Sequence, residues 1–447
     1  MERELHAAII SWNGKNEEVC ASAARISTTP GNALEIFGAA QDNPQNRPLI
    51  GKVLQSGHKS VIEHAVFTLA LRDVSVYVEQ FLIECRLASF TVKSRRYVDF
   101  GSLGYHVPPE LTGEALSRYR GYMDLLFGAY RELLAGGVPK EDARFLLPYS
   151  FHSNFYCTVN ARQLGRIISE IRCGRGRGVP ELQRLADEIT AQLEELFPAL
   201  LPELTRPDGE APAPAPCRVS PDPAFVPQKE AGAVALLGGP ADPAALLAAA
   251  CRAASPAADP SLDWDALLRS DRPRELEQLA YTFRVSDLTL SGITHLVRHR
   301  MQSVIIPPIE SVDHSRYIVP DTVAAQPALL ERYKQVLTEA NRLAGQMAED
   351  PALRPYHCYF ALSGNLMDVM TTMNAREIKH FIQLRACSRA QWEIRAVAIA
   401  LLRQLRQSFP ELFGQFGPSC FLTGRCPEGR FSCGKMEEMT RMFRDLP

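Results

Sequence analysis

A gap-free internal repeat constrains this chain more than any other feature of its 447 residues. Shifted by 214 positions, Gly57–Arg86 falls on Asp271–Arg300, setting Glu63 on Glu277, Thr68 on Thr282, Asp73 on Asp287, Leu82 on Leu296 and Arg86 on Arg300. Apolar positions follow, Ile62 with Leu276, Phe67 with Tyr281, Val74 with Leu288 and Ile83 with Val297. The same shift lays Thr158-Val-Asn160-Ala-Arg162 on Thr372-Met-Asn374-Ala-Arg376. Two separated segments in one register imply one folding unit written twice.

Between the copies, Pro207-Asp-Gly-Glu-Ala-Pro-Ala-Pro-Ala-Pro-Cys217, followed by Pro221, Pro223 and Pro227, reads as an extended linker. The expected organisation is a first half over 1–204, a Pro/Ala-rich linker over 205–232, a second half over 233–412 and a cysteine-containing tail over 413–447. In each half a short strand (Ala65–Leu71; Leu279–Val285) precedes a helical stretch (Val74–Arg86; Leu288–Arg300). A polar helix and then a strongly periodic one follow, marked by Leu164, Ile167, Ile168 and Ile171 and by Ile378, Phe381 and Ile382. Final helices are expected over Val179–Leu196 and Gln391–Ser408. The class is α+β, mixed α/β, with helices predominating.

Composition excludes several roles. The balance of 49 basic and 51 acidic residues argues against a nucleic-acid partner. No apolar run approaches the ~18–20 residues of a membrane span, and Met1-Glu-Arg-Glu-Leu lacks the architecture of a signal peptide. The 11 scattered cysteines suit a reducing compartment, so a cytoplasmic protein acting on something small is expected.

Several residues could carry chemistry. Arg298-His299-Arg300 is expected to close a helix, either as a cationic cap or as a clamp for anions and planar rings. Arg385, eleven residues after Asn374, projects from an apolar stripe and needs an anion or polar ligand, or else a core carboxylate such as Glu377 or Glu393. His58, Glu63 and His64 lack the spacing of a metal-binding helix. Cys420, Cys426 and Cys433 resemble a metal knuckle with only three local ligands, so free thiols are the competing reading. Arg175-Gly-Arg-Gly178 reads as a basic turn rather than a phosphate cradle.

Together these segments resemble the flavin-dependent thymidylate synthases. The first half resembles that family through Gly57-His-Lys-Ser-Val-Ile-Glu-His64, Arg86-Leu-Ala-Ser89, Ser94-Arg-Arg96-Tyr97, Ala143-Arg144-Phe-Leu-Leu-Pro148 and Val159-Asn-Ala-Arg162. The second half does so through Arg298-His-Arg-Met-Gln-Ser303, Ser315-Arg-Tyr317, Asn374-Ala-Arg376 and Leu384-Arg-Ala-Cys-Ser-Arg-Ala-Gln-Trp-Glu-Ile394. The resemblance implies two tandem copies of the family fold. It also implies FAD as cofactor, NADPH and methylenetetrahydrofolate as co-substrates, and methylation of dUMP at C5. A homodimer is implied too, as a pseudo-tetramer of family folds.

Carried over residue by residue, the resemblance makes Arg385 catalytic and assigns Ser94, Arg95, Arg96, Arg144, His295 and Arg298 to the nucleotide. Arg298, His299, Arg300, Asn160, Arg162, Asn374 and Arg376 fall to FAD, and His58 to the flavin or folate. The first half departs from the family at Glu84-Cys85-Arg86 and at Ile171, with Arg172 one step beyond. The second half departs at Pro307-Pro308 and at Cys358, the counterpart of Arg144. One complete composite set is therefore expected, with the nucleotide cradle from the first half and the remaining groups from the second. Val92 and His295 also depart from the family pattern where base or ribose contacts are expected. Another pyrimidine nucleotide, or binding without turnover, stays open at this stage.

Overall fold

In the computed structural model, which describes residues 5–204, 217–255 and 264–447, each half builds a four-stranded antiparallel sheet of one topology. The first contains β1 (Ala7–Trp12), β2 (Val66–Ser75), β3 (Ala88–Val92) and β4 (His152–Asn160), in the order β1-β2-β4-β3. The second contains β5 (Ala233–Gly238), β6 (Ala280–Thr289), β7 (Gln302–Ile305) and β8 (Leu366–Asn374), in the order β5-β6-β8-β7. The repeat survives at atomic scale. Thr68 pairs with Thr158 across the first sheet through hydroxyls 3.0 Å apart, and Thr282 pairs with Thr372 through hydroxyls 2.9 Å apart. Each long strand bulges at an aspartate of positive φ, 49° at Asp73 and 54° at Asp287.

Past each bulge the chain turns directly into a short helix, α1 (Val76–Ile83) and α4 (Leu290–Leu296). The Ser75 and Thr289 hydroxyls cap these helices by accepting from Val78 N–H and Gly292 N–H. Each capping residue is held by a buried carboxylate at the start of the last helix of its half. Glu181 of α3 (Pro180–Leu196) accepts from Ser75 N at 2.8 Å and Ser75 Oγ at 2.6 Å. Glu393 of α6 (Trp392–Ser408) accepts from Thr289 N at 2.7 Å and Thr289 Oγ1 at 2.5 Å.

The periodic helices are α2 (Ala161–Arg172) and α5 (Ala375–Arg385). Leu164, Ile167, Ile168 and Ile171 are all buried, as are Ile378, Phe381 and Ile382. Burying each such side chain contributes about 1.5–3 kcal/mol before entropy is counted. The final helices start one residue later than their sequence patterns suggest.

One expectation is corrected. Arg298-His299-Arg300 does not close a helix. α4 stops at Leu296, because His299 N–H bonds Leu296 O at 3.1 Å and the Gln302 side chain donates to the same carbonyl at 2.6 Å. The motif thus lies in a turn leading to β7, and its cations are not last-turn caps.

The described residues divide into two compact units. One comprises Met1–Val219, Pro308–Ser311 and Glu339–Leu362, and the other Ser220–Pro307, Val312–Thr338 and Ser363–Pro447. Within the first unit, Tyr122 and Tyr149 bond the backbone of Phe360 and Ala361, and Arg118 pairs with Asp350 at 2.7 Å. Of the Pro/Ala-rich segment, residues 205–216 lie outside the described residues, whereas Ala224–Pro227 forms a parallel pair with Arg316–Val319. Among the described residues no helix is long and apolar enough to cross a membrane.

Burial alone would raise the Glu181 pKa, but His106, both Ser75 donors and Tyr359 bring it below its ordinary 4.5. A carboxylate depressed on folding stabilises fully above its unfolded pKa and loses that contribution as pH falls through the folded value. Glu181→Gln should therefore cost about 2–3 kcal/mol near neutral pH, read from the denaturant midpoint, and flatten the acid limb of stability below about pH 4.5.

Candidate functional site

In the second unit, the turn after α4 and the first turns of α5 enclose a cleft of about 560 Å³. Arg298, His299, Arg300, Asn374 and Arg376 line it, together with Glu377, Lys379 and His380. Backbone geometry explains the gathering. Asn374 ends β8 and caps α5, its side-chain oxygen accepting from Glu377 N at 2.9 Å, while Arg376 on the first turn pairs with Glu277.

His299 is buried and held at both ring nitrogens. Nδ1 lies 3.0 Å from Glu377 Oε1, and Arg385 Nε donates to Nε2 at 2.9 Å. Phe381 meets the ring edge-on at 4.9 Å and His380 at 5.7 Å. Burial, helped by the Arg385 charge, holds the His299 pKa below the ordinary histidine value despite the pull of Glu377. Arg385 thus meets His299 at the end of α5, and Glu393 is engaged by Thr289. His295 sits half-buried in the last turn of α4.

In the first unit, Ser94, Arg95 and Arg96 form the turn after β3. Arg96 pairs with the Glu141 carboxylate, and Arg144, itself buried, donates from Nε to the Glu141 carbonyl at 3.0 Å. Two cradle arginines therefore meet at one residue. Arg95 instead turns inward, pairing with buried Glu79 and lying 5.4 Å from the Phe151 ring centre. Asn160 caps α2 through Gln163 N at 2.9 Å, and Arg162 pairs with Glu63 at 2.5 Å, duplicating the Asn374 and Arg376 contacts. His58 is exposed ahead of a short 3-10 turn.

Each half has dismantled a different part. Opposite His299 stands Cys85, whose thiol burial pushes up to about 11 and which bonds the Gln163 side chain. Opposite Arg298 stands Glu84, held by Arg175 at 2.6 Å, and opposite Arg385 stands buried Ile171. Arg172 is occupied elsewhere, with Asp187 and Thr190 both 3.1 Å away. In the second unit Arg316 is tied to Asp287 at 2.5 Å, and Cys358, opposite Arg144, is a buried thiol of the first unit.

Glu377, Lys379 and His380 escape the motif reading. Glu377 had a signal in the repeat itself, since its counterpart is Gln163 and the counterparts of His299 and Arg385 are Cys85 and Ile171. Among the described residues no group of three or more His, Cys, Asp or Glu side chains is placed to hold a metal, and Cys420, Cys426 and Cys433 are unpaired thiols. Instead the tail is fastened by buried Arg406, which donates to the carbonyls of Phe413, Gly414, Phe416, Phe443 and Leu446.

The model of the thymidylate synthase complementing protein family matches residues 8–199 and again 242–411. The chain therefore belongs to the flavin-dependent thymidylate synthase family, as a tandem duplication of its fold. It is 34% identical over 200 residues to the flavin-dependent thymidylate synthase of Geobacter sulfurreducens, covering 42% of this chain and 83% of that one. The enzyme of the same name from Nitratidesulfovibrio vulgaris is 32% identical over 185 residues, covering 38% and 74% respectively. A solved UMP/dUMP methylase from Streptomyces cacaoi, bound with 5-Br dUMP, aligns at a TM-score of 0.37 and 24% identity over 44% of this chain and 93% of that one.

The two Asn-Ala-Arg segments supply their own control. Arg162→Ala and Arg376→Ala break the same kind of ion pair, but only Arg376 lines the cleft. Flavin absorbance retained through purification should fall severalfold for Arg376→Ala and stay near wild type for Arg162→Ala, since a charge-assisted bond to a phosphate is worth about 1.5–3 kcal/mol.

Proposed function

We propose that this chain methylates dUMP at C5, with methylenetetrahydrofolate as one-carbon donor and NADPH as reductant. FAD would be held by the second-half cleft. The observation carrying this reading is complementary retention: the first half keeps Arg96 and Arg144 converging on one residue, and the second keeps Arg298, His299, Arg300 and Arg385.

The cleft suits a flavin dinucleotide. Its volume lies within the usual ligand range of about 300–1,000 Å³, and its cations (Arg298, Arg300, Arg376 and Lys379) match a diphosphate. The His299 and His380 rings offer flat neighbours for an aromatic ring system. When bound, reduced flavin supplies the hydride.

The chain's own residues supply position and charge. Arg96 and Arg144 would bind the nucleotide phosphate, with Arg96 exchanging the Glu141 carboxylate for a phosphate oxygen. Ser94 would act as a hydrogen-bonding ligand rather than a nucleophile. Arg385 would stabilise negative charge at uracil N3 and O2, making C5 nucleophilic without a protein thiolate. The opposite pairing of halves would bring Glu84 toward a phosphate and offer Ile171 where a cation is needed.

Val92 and His295 favour a second reading, the same chemistry on another pyrimidine nucleotide. Release of the C5 hydrogen decides between them: dUMP should react at least about tenfold faster than UMP under this proposal. Release from neither, by a protein that retains flavin, would leave binding without turnover. Arg385→Ala should abolish release, whereas Arg172→Ala should leave most of it.

Two copies of the family fold per chain also propose a homodimer. Light scattering should give about twice the 49.6 kDa chain mass. Arg96→Ala and Arg298→Ala should each weaken nucleotide turnover about tenfold to a hundredfold. Mixing the two variant chains then restores activity only where the two sets of residues come from different copies. Full activity of either variant alone would sink the composite reading.

A further inference from the structure

Glu377, His299 and Arg385 form a chain of hydrogen bonds within the second unit, at 3.0 and 2.9 Å. A guanidinium has donors and no acceptor, so Arg385 Nε–H can meet only a lone pair at His299 Nε2. A neutral imidazole with its lone pair there carries its proton on Nδ1, where Glu377 accepts it. Of the charged or titratable groups near the ring, Glu377, Arg385, His380 and Lys379 lie on α5, and Arg298 and Arg300 flank it in the turn that lines the same cleft. Burial of the ring beside Phe381 disfavours a second proton.

The first half shows what the same fold does without this chain of bonds. There the three positions hold Gln163, Cys85 and Ile171. Within a few residues of them, the Asn160 cap, the Arg162–Glu63 pair and the Thr68–Thr158 bond reproduce their second-half counterparts. Scaffold contacts repeat, and these three positions diverge together. Packing is thus satisfied by either set, which separates the three residues from the framework that carries them.

We propose that Glu377 is a positioning residue: by fixing the Nδ1–H form of His299 it presents Nε2 to Arg385 and holds the guanidinium plane for the pyrimidine. This rests on the role proposed above for Arg385. Anchored at Nε, the guanidinium loses rotation about its last bonds, and orientation of that kind lowers the barrier of the step it serves. A glutamine at 377 could instead donate to Nδ1, moving the ring proton to Nε2, where it would oppose Arg385 Nε–H.

The test combines a ligand-free readout with kinetics on the full chain. Long-range 1H–15N spectra of 15N-histidine-labelled protein, with His299 assigned through His299→Asn, should show the Nδ1–H form in the wild type. Glu377→Gln should switch it to Nε2–H and lower kcat at least about tenfold, with the nucleotide KM changed less than about threefold. Glu377→Asp should restore Nδ1–H and most of the turnover. An Nε2–H wild type, or a Glu377→Gln chain with unchanged tautomer and kcat, would overturn the proposal. Should Glu377→Gln not fold, the wild-type tautomer and Glu377→Asp still decide. Failure of dUMP as substrate strikes the proposed function and leaves the tautomer result standing.

Discussion

In each half the corner between the long strand and the short helix hangs from one buried carboxylate. Glu181 and Glu393 each accept two hydrogen bonds from the residue that ends a long strand and caps the following helix. That residue must satisfy a backbone N–H and a hydroxyl where water is excluded, and the two oxygens of one carboxyl group do both at once. The strand-to-helix corner is thereby fixed, and with it the turn carrying Glu84-Cys85-Arg86 or Arg298-His299-Arg300. The corner tolerates change nearby. Counterpart positions differ by 214 up to Ile171 and Arg385 but by 212 at Glu181 and Glu393, so the first half carries two more residues in the intervening loop. That longer loop delivers Arg175 to Glu84 and to the Phe81 ring.

A framework held this way lets chemistry diverge without loss of fold. The contacts that repeat are caps, cross-strand hydroxyl pairs and the Asn-Ala-Arg ion pairs, each made by residues adjacent in the sheet-helix corner. Those that differ lie where the turn after the short helix meets the periodic helix, at Glu84, Cys85 and Ile171 or at Arg298, His299 and Arg385. The first half retains paired arginines at Glu141, and the second retains the imidazole with its two polar neighbours. Cys85 and Ile171 fill the first-half positions with side chains that need no charge partner.

The repeat was legible because its register runs unbroken through strand, bulge and helix. The periodic helices were legible for the usual reason: Ile167, Ile168, Ile378 and Phe381 recur at helical spacing and are buried. Three strands of each sheet escaped: β3 and β4 do alternate, but their pairing is set by long-range partners. The overlong helix at Leu288–Arg300 failed for a local reason. Its apolar pattern continues to Val297, but the Gln302 side chain takes the Leu296 carbonyl that the next turn of helix would use. Nor does any local pattern announce that Glu339–Leu362 packs with the first unit, because that is set by tertiary partners such as Tyr122 and Asp350. Of the candidate site, motif residues were visible and Arg95 was misleading: a cation beside a cradle serine reads alike whether it faces a ligand or, as here, Glu79.

Burial cost separates the two versions of the site. An arginine at the end of an apolar helix and a buried imidazole both carry desolvation penalties that aliphatic or thiol side chains avoid. The first half shows the cheaper solution on the same backbone: Ile171 buries fully, and Cys85 stays a neutral thiol with a pKa near 11. Stability alone would favour that solution in both halves. The second half instead keeps three polar side chains in series, with His299 bonded to Glu377 on one side and to Arg385 on the other. Removing His299 would break both bonds, and the first half replaces all three positions together. The chain contains both outcomes, and the polar set is the one beside the cleft lined by Arg298, Arg300, Arg376 and Lys379 with Asp271 and Glu277.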